Sequence, residues 1–455
     1  MRTCRNTRGR MISGSEVYDC VVCGGGTAGV AAAVSAARAG ERTLIVERGI
    51  VLGGSQTQGL VVPMMPTFAE GSDTPWVTEA RSYLRSQGIE PDDGVTGTTW
   101  TNPDMMADFY DAVTSENGID ILYNAVIFDA ECDDGKILSV LAQTIEGAVE
   151  IRGRVFIDAT GDAVVARLAG VPCESGNEET GLNQPMSLRF EMEGIDLERL
   201  HRYLRDTLHD KRCETAPPYV EVGLARHRAM RYAVEPLFVA GIESGELAEE
   251  DAEYFQAFAI PGKDGCMAMN CPELPTRFSA TDAMSYSRGI THGRSMMRRI
   301  AKFVRAHLPG FENARISRQA QMVGARESWR IKGRAYLTED DYHARRRFAD
   351  AVCRTGYYID AHGGRVGEYL PRGEFYEIPY RAMVASEAAN LIVAGRCISV
   401  SFILQSSMRI QPTCMSIGEA AGIAAAHAVK NEIDANEVDW SSVPNRSYVS
   451  CGAIS

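Results

Sequence analysis

The chain has 455 residues, 45% hydrophobic and 24% charged, the composition of a globular protein with a large core and not of a disordered, fibrous or collagen-like chain. Its formal net charge of −13 excludes a general attraction to phosphates, so nucleic acid is not an expected ligand. Twelve cysteines lie scattered without the dense spacing of a disulfide scaffold, which points to a reducing compartment. The longest apolar runs, 392–395 and 423–428, fall far short of the roughly 20 residues that span a bilayer. The basic start, 1–10, is followed by no apolar run of the kind a secretory signal needs. A cytoplasmic protein without membrane attachment is expected.

In chain order, residues 1–15 carry no periodic apolar pattern and read as a flexible extension. From Val17 the texture changes. Val17 to Cys23 is rich in β-formers and ends at Gly24-Gly25-Gly26; Ala28 to Ala39 is an alanine-rich helix stopped by Gly40; Thr43 to Glu47 is a second buried strand. Together they make a complete βαβ unit in about 30 residues. Met106 to Asn117 reads as a helix, Ile121 to Ala130 and Ile137 to Gln143 as strands joined at Asp133-Asp134-Gly135, and Val155 to Ala159 as another strand. From about Pro185 alternating strands such as Ser187 to Met192, a hairpin at Pro261 to Gly265 and amphipathic helices at 282–307 mark a different domain. The βα texture returns with the strand Asn390 to Gly395 and the helix Pro412 to Lys430, so the first domain is discontinuous.

Gly24-x-Gly26-x-x-Gly29 falls between strand and helix, where glycines allow a tight turn, close approach of backbone to a pyrophosphate, and contact of helix with strand. Glu47 ends the next strand, where a carboxylate can accept the ribose hydroxyls of an adenosine. The pair signals a dinucleotide, and NAD and FAD share it.

The segment Glu47 to Gly59, with its acidic residue and Gly53-Gly54, resembles the signature of FAD-dependent oxidoreductases of the glutathione-reductase structural class. Val155 to Asp162 is similar to that class's Ala-Thr-Gly strand end, and Asn390 to Ser399 with Gln411 to Ala425 to its terminal flavin segment. With Arg326-Glu327-Ser328 and Ile378-Pro379-Tyr380-Arg381, the chain resembles the bacterial FAD-dependent oxidoreductase family, which has succinate dehydrogenase and fumarate reductase-like relatives, over residues 17–430.

That resemblance implies an α/β fold: a Rossmann-like FAD-binding domain at 16–184 and 385–432, an inserted α+β substrate domain at 185–384, and a tail at 433–455. It implies that Gly24, Gly26 and Gly29 take the pyrophosphate, Glu47 the ribose, and the Val126 backbone the adenine. Ser55, Gln56 and Gly59 would run beside the isoalloxazine, with Gly161 and Asp162 bordering the adenosine half. Gly395 and Arg396 stand where many relatives have Gly-Asp, so Arg396 is expected to reach a phosphate or bond through its backbone. Thr27, Ala28, Arg48, Gly54, Ala159 and Thr160 complete the implied cofactor set. FAD is expected to be non-covalent.

Apart from family, the first turn of the closing helix offers the Thr413 and Cys414 amides to the charge that develops on a reduced flavin. Gly418 and Gly422 would let that helix lie close to flavin or sheet. One dinucleotide fingerprint is seen, which disfavours a resident nicotinamide site and leaves the electron donor or acceptor open.

On the substrate side Asp360-x-His362 offers a carboxylate and an imidazole, the latter a proton acceptor or a structural histidine. Arg326 and Glu327 either bind a substrate carboxylate or form an internal ion pair. Arg409 is placed to orient an anionic substrate, and Tyr380 to cap the pocket or fill an interface. Phe402 stands where relatives have a histidine facing the active site, which favours a more apolar pocket. Cys20-x-x-Cys23 lies within a strand, where residues three apart face opposite sides, and Cys266 with Cys271 cannot complete a tetrahedral site; no metal is expected. The reading is an oxidoreductase acting on a small molecule by hydride transfer to or from flavin N5. A flavin-dependent monooxygenase and a non-catalytic dinucleotide-binding protein are its rivals, and a homo-oligomer is compatible with the sequence.

Overall fold

The computed structural model describes residues 10–11, 17–89, 97–210, 221–225, 232–362 and 365–450. Strand β1 (Tyr18–Cys23) runs into helix α1 (Thr27–Arg38) and back into β2 (Thr43–Val46). Helix α2 (Pro103–Glu116) is opened by Asn102, whose side chain accepts from the Asp104 and Met105 amides. The expected strand Ile121 to Ala130 is two: β3 (Asp120–Leu122) and β4 (Val126–Asp133). Asn124, at φ 51°, turns the chain between them. β4 forms an antiparallel meander with β5 (Lys136–Thr144) and the twelve-residue β6 (Gly147–Asp158). The first half of β6 closes the meander and its second half pairs in parallel with β1, so one strand joins two layers. Arg10–Met11 pairs with Val149 and Glu150, which gives the expected loose extension one short strand.

A second sheet, entirely antiparallel, is built from β7 (Phe190–Glu193), β8 (Glu221–Ala225), β9 (Tyr254–Ala259) and β10 (Cys266–Met269). The 25-residue helix α3 (Ala283–His307) and β11 (Arg315–Gln319) complete this unit, with spatial order β8-β9-β10-β7-β11. Its core holds Phe190, Phe238, Phe255, Met296 and Ile300. That core ends near Val323. Ile331, Leu337, Tyr376 and Ile378, expected within the inserted domain, pack instead in the first core, as do Trp440 and Val443 of the expected tail. Side-chain volume decides this: Trp440 is buried beneath Tyr380, rings 5.9 Å apart and 12° from parallel.

The chain re-enters the parallel sheet at β12 (Leu391–Val393), which lies against β6, and ends the fold with helix α4 (Gln411–Asn431). α4 lies on α1. A Cβ on Gly418 would sit 2.1 Å from the Ala28 oxygen and one on Gly422 2.1 Å from that of Ala32, so these glycines serve close packing of two alanine-rich helices and not contact with a flavin.

Candidate active site

The carboxyl ends of β1, β2, β6 and β12 converge on a groove of about 250 Å³, the place where open parallel sheets bind ligands. Gly24, at φ 101°, makes the turn after β1; a Cβ there would lie 2.7 Å from the Ala159 oxygen. Gly26 is the N-cap of α1 and contributes no side-chain cap, leaving the first-turn amides at Thr27 and Ala28 to face the groove they line. A Cβ on Gly26 would meet nothing within 4 Å, whereas one on Gly29 would stand 1.8 Å from the Gly24 oxygen. The first glycine position is thus open cradle and the second is helix-on-turn contact.

Glu47 is buried, accepting from the Gly25 amide at 2.7 Å and the Gly49 amide at 2.6 Å. Its two oxygens keep acceptor capacity toward the groove they line. The turn that presents Val126 is anchored on the same strand end, since the Ala125 amide donates to the Glu47 oxygen and that of Asn124 to Gly49. Gly54 and Ser55 lie across the turn, where Gly53 pairs with Gly26. Ala159, Thr160, Gly161 and Asp162 wall the other side, with Arg48, Gly395 and Arg396. Asp158, beneath them, accepts from the Thr160 hydroxyl at 2.6 Å and from the Ala166 amide at 2.9 Å.

The Arg396 guanidinium is committed within the protein: Nε donates to the Gly161 oxygen at 2.7 Å, Nη1 to that of Ala325, and Nη2 to Asp162 at 2.5 Å. A phosphate role for it, one of the two expected, is therefore not what the geometry provides. Burial alone would raise the Asp162 carboxyl, but Arg396, the Ser328 hydroxyl and Arg48 outweigh it and hold the group below the usual carboxylate range.

The head of α4 differs from expectation at one residue. The Cys414 amide already donates to the Ile410 oxygen at 3.0 Å, because a helix leaves unpaired only the amides of its first turn. Thr413 keeps that position, and Cys414 presents its side chain to the groove, its thiol pushed by burial up to about 12. Gln56 is fully buried under the Tyr110 hydroxyl, which donates to it at 2.5 Å, and Gly59 is bonded back to Gly54; neither lines the groove.

A second cavity, of about 300 Å³, opens beside the first and shares six wall residues with it: Ser55, Gly324, Ala325, Arg396, Arg409 and Gln411. Its body is aromatic. Trp100 and Phe258 lie with ring centroids 5.0 Å apart, and Tyr357 and Tyr358 4.3 Å apart. Asp360 and His362 line it together: His362 Nδ1 is 2.7 Å from Glu273 and Nε2 3.4 Å from Asp360. Arg409 Nη2 donates to the Asp360 backbone oxygen at 3.1 Å. Burial lowers the Arg409 guanidinium, opposed by Asp360. Arg326 pairs with Glu273 at 2.9 Å and bonds the Pro185 oxygen at 2.6 Å, while Glu327 is bonded to Arg330; the two are not an ion pair with each other.

Two expectations about this cavity fail. Tyr380 donates to the Ala435 oxygen at 2.7 Å, deep in the first core, and touches neither cavity. Phe402 is buried beside Arg330 and lines neither; the apolar wall comes from Trp100, Phe258 and the two tyrosines. Arg189, Glu273, Tyr254 and Trp100 were not singled out from the sequence. The signal that marks one of them is an arginine inside a strand, Ser187 to Met192, whose every residue proves buried. Cys20 and Cys23 are buried free thiols inside β1, and among the described residues no group of three His, Cys, Asp or Glu side chains forms a metal site.

A model of the FAD dependent oxidoreductase family matches residues 19–446, and the chain belongs to that family. It is 32% identical over 163 residues to the mitochondrial dihydrolipoyl dehydrogenase 2 of Arabidopsis thaliana, a match that spans 35% of this chain and 31%, about a third, of that protein. Among solved structures it is similar to a p-nitrophenol 4-monooxygenase from Pseudomonas putida DLL-E4, at 12% identity and a TM-score of 0.47, covering 94% of this chain and 84% of that one. A flavoprotein/dehydrogenase from Cytophaga hutchinsonii matches at 14% identity and a TM-score of 0.46, covering 94% and 81%.

The residues of the groove fit the cofactor from which the family takes its name. At Gly26 the groove is open, so that a methyl there would project into the space beside the first-turn amides of α1. Thr413 Oγ1, buried without a partner, lies in the first turn of α4 but does not line the groove; Gln411 Oε1 and Arg409 Nε, of residues that wall both cavities, are likewise buried without one. Polar atoms so placed are satisfied by a ligand. No described helix is long and apolar enough to cross a membrane.

Proposed function

We propose that the substrate is a small molecule seated in the second cavity, exchanging a hydride with FAD held in the first. One observation carries this reading: six residues wall both spaces, so a molecule in the aromatic cavity abuts the cofactor end at Arg409 and Gln411. Bound FAD supplies the two-electron acceptor or donor. The chain supplies orientation, exclusion of water by the aromatic walls, and a place for the proton.

In the oxidative direction a substrate C–H bond is broken with its electron pair leaving as hydride, and the adjacent O–H or N–H releases a proton. His362 is the proton-exchanging group, held at the cavity wall between Glu273 and Asp360. The N-terminal end of α4, with Gln411 in the wall of the groove, would favour negative charge on a bound FAD. In that direction an electron acceptor outside the chain would have to take up the pair, and in the reverse direction a donor would have to supply it.

Anaerobic mixing of the holoprotein with metabolite panels tests this: bleaching of the visible flavin absorbance by a substrate, slowed at least about 100-fold in His362→Ala, is expected. Absence of reduction by any panel and of reoxidation by any unsaturated acceptor would favour a binding protein. A hydroxylated product formed with oxygen would favour a monooxygenase.

A further inference from the structure

Arg189 enters the second cavity from the strand that becomes β7, and it is 8% exposed. Its Nε donates to Asn270 Oδ1 at 2.6 Å, and the Asn270 amide in turn donates to Gln256 Oε1 at 3.0 Å and the Tyr254 hydroxyl at 3.1 Å. One edge of the guanidinium is thus pinned. The other edge, Nη1 and Nη2, has no hydrogen-bond or ion-pair partner among the described residues. The neighbouring arginines differ: Arg326 has Glu273, Arg409 has Asp360 and Arg396 has Asp162.

The free edge points to a defined place. A Cβ built on Gly324 would lie 2.2 Å from Arg189 Nη1, so the guanidinium rests against the Gly324 backbone. Gly324 belongs to the wall common to both cavities. Burial, with repulsion from Arg326 and Arg409 and against the opposing pull of Tyr254 and Glu273, brings the Arg189 guanidinium down to about 9.

We propose that Arg189 is the docking group for a substrate carboxylate, and that the substrate class is a carboxylic acid with a flat apolar body. Two parallel bonds from Nη1 and Nη2 would fix the acid at the cofactor edge of the cavity. The body would lie along Trp100, Phe258 and the stacked Tyr357 and Tyr358. A neutral amide of the same shape cannot supply the missing charge. This substrate class rests on the reading of the second cavity as the substrate site.

The test uses the FAD-loaded protein with benzoate and 3-phenylpropionate as probes, each against its neutral amide, read by perturbation of the flavin spectrum. The acids are expected to bind at least about tenfold more tightly than the amides. In Arg189→Met, and in Arg189→Gln as the variant that keeps hydrogen bonding, that preference is expected to vanish while FAD content and melting temperature hold or rise. Equal binding of acid and amide by the wild type, no spectral response to either acid at millimolar concentration, or a preference that survives both substitutions overturns the proposal. Acid binding without turnover of any substrate would leave this proposal standing and remove the proposed function; turnover of neutral alcohols without acid preference would do the reverse.

Discussion

Arg396 and Asp162, at the ends of adjacent strands β12 and β6, meet at 2.5 Å, and the same guanidinium bonds the Gly161 oxygen and, from the second core, that of Ala325. An arginine in that position locks the wall of the cofactor groove to the segment 322–326 that also borders the second cavity. Its removal strands a largely buried carboxylate and two carbonyls. Arg396→Ala is expected to destabilise the protein by about 2–4 kcal/mol, read by urea denaturation.

The same pair sets a pH dependence. The Asp162 carboxyl is held below its ordinary range when folded, so its contribution is present above the unfolded value, near about 4, and is lost as pH falls through the lower folded value. Asp162→Asn is expected to flatten the fall in stability below about pH 4, measured as melting temperature against pH. An unchanged acid limb would remove Asp162 from the account.

The two glycines of the turn are expected to behave oppositely. Gly26→Ala places a methyl in open groove at a backbone conformation any residue adopts. The apoprotein should keep its stability within about 0.5 kcal/mol and lose FAD affinity at least about tenfold. Gly29→Ala drives a methyl into the Gly24 carbonyl, a backbone clash that should cost about 3 kcal/mol or more. Thermal melts and FAD titrations of the two variants separate the outcomes.

Glu47→Gln replaces one acceptor oxygen by a donor facing amides at 2.6 and 2.7 Å. A donor against a donor leaves a buried amide unpaired, at about 1–3 kcal/mol, and FAD affinity should fall about 10- to 100-fold. Fluorescence titration of FAD is the measurement.

Tyr380→Phe is expected to leave turnover unchanged and to lower stability by about 1 kcal/mol, because its hydroxyl serves only the buried Ala435 carbonyl. A fall in turnover without a fall in FAD content would return Tyr380 to the active site.

What the sequence made legible is local. Gly24 to Gly29 and Glu47 lie within one βαβ unit, so their spacing locates them, whereas Gly161 followed from the resemblance carried by Val155 to Asp162. The substrate side depends on pairings far apart in the chain: Arg189 with Asn270, 81 residues on, and His362 with Glu273, 89 residues back. No periodicity reports such partners, so the sequence shows His362 beside Asp360 but not Glu273, and Arg189 without Asn270. Tyr380 and Phe402 were misplaced for the same reason, since the core that receives Tyr380 is completed by Trp440 and Ala435 at the far end of the chain.

The most direct measurement is the position of the cofactor in crystals of the FAD-loaded protein. The account predicts density for one extended FAD running from Val126 and Glu47, past Gly24 and Gly26, to the head of α4, with its redox end open to the aromatic cavity. FAD bound elsewhere, or crystals in which side chains fill the groove while FAD stays in solution, would contradict it.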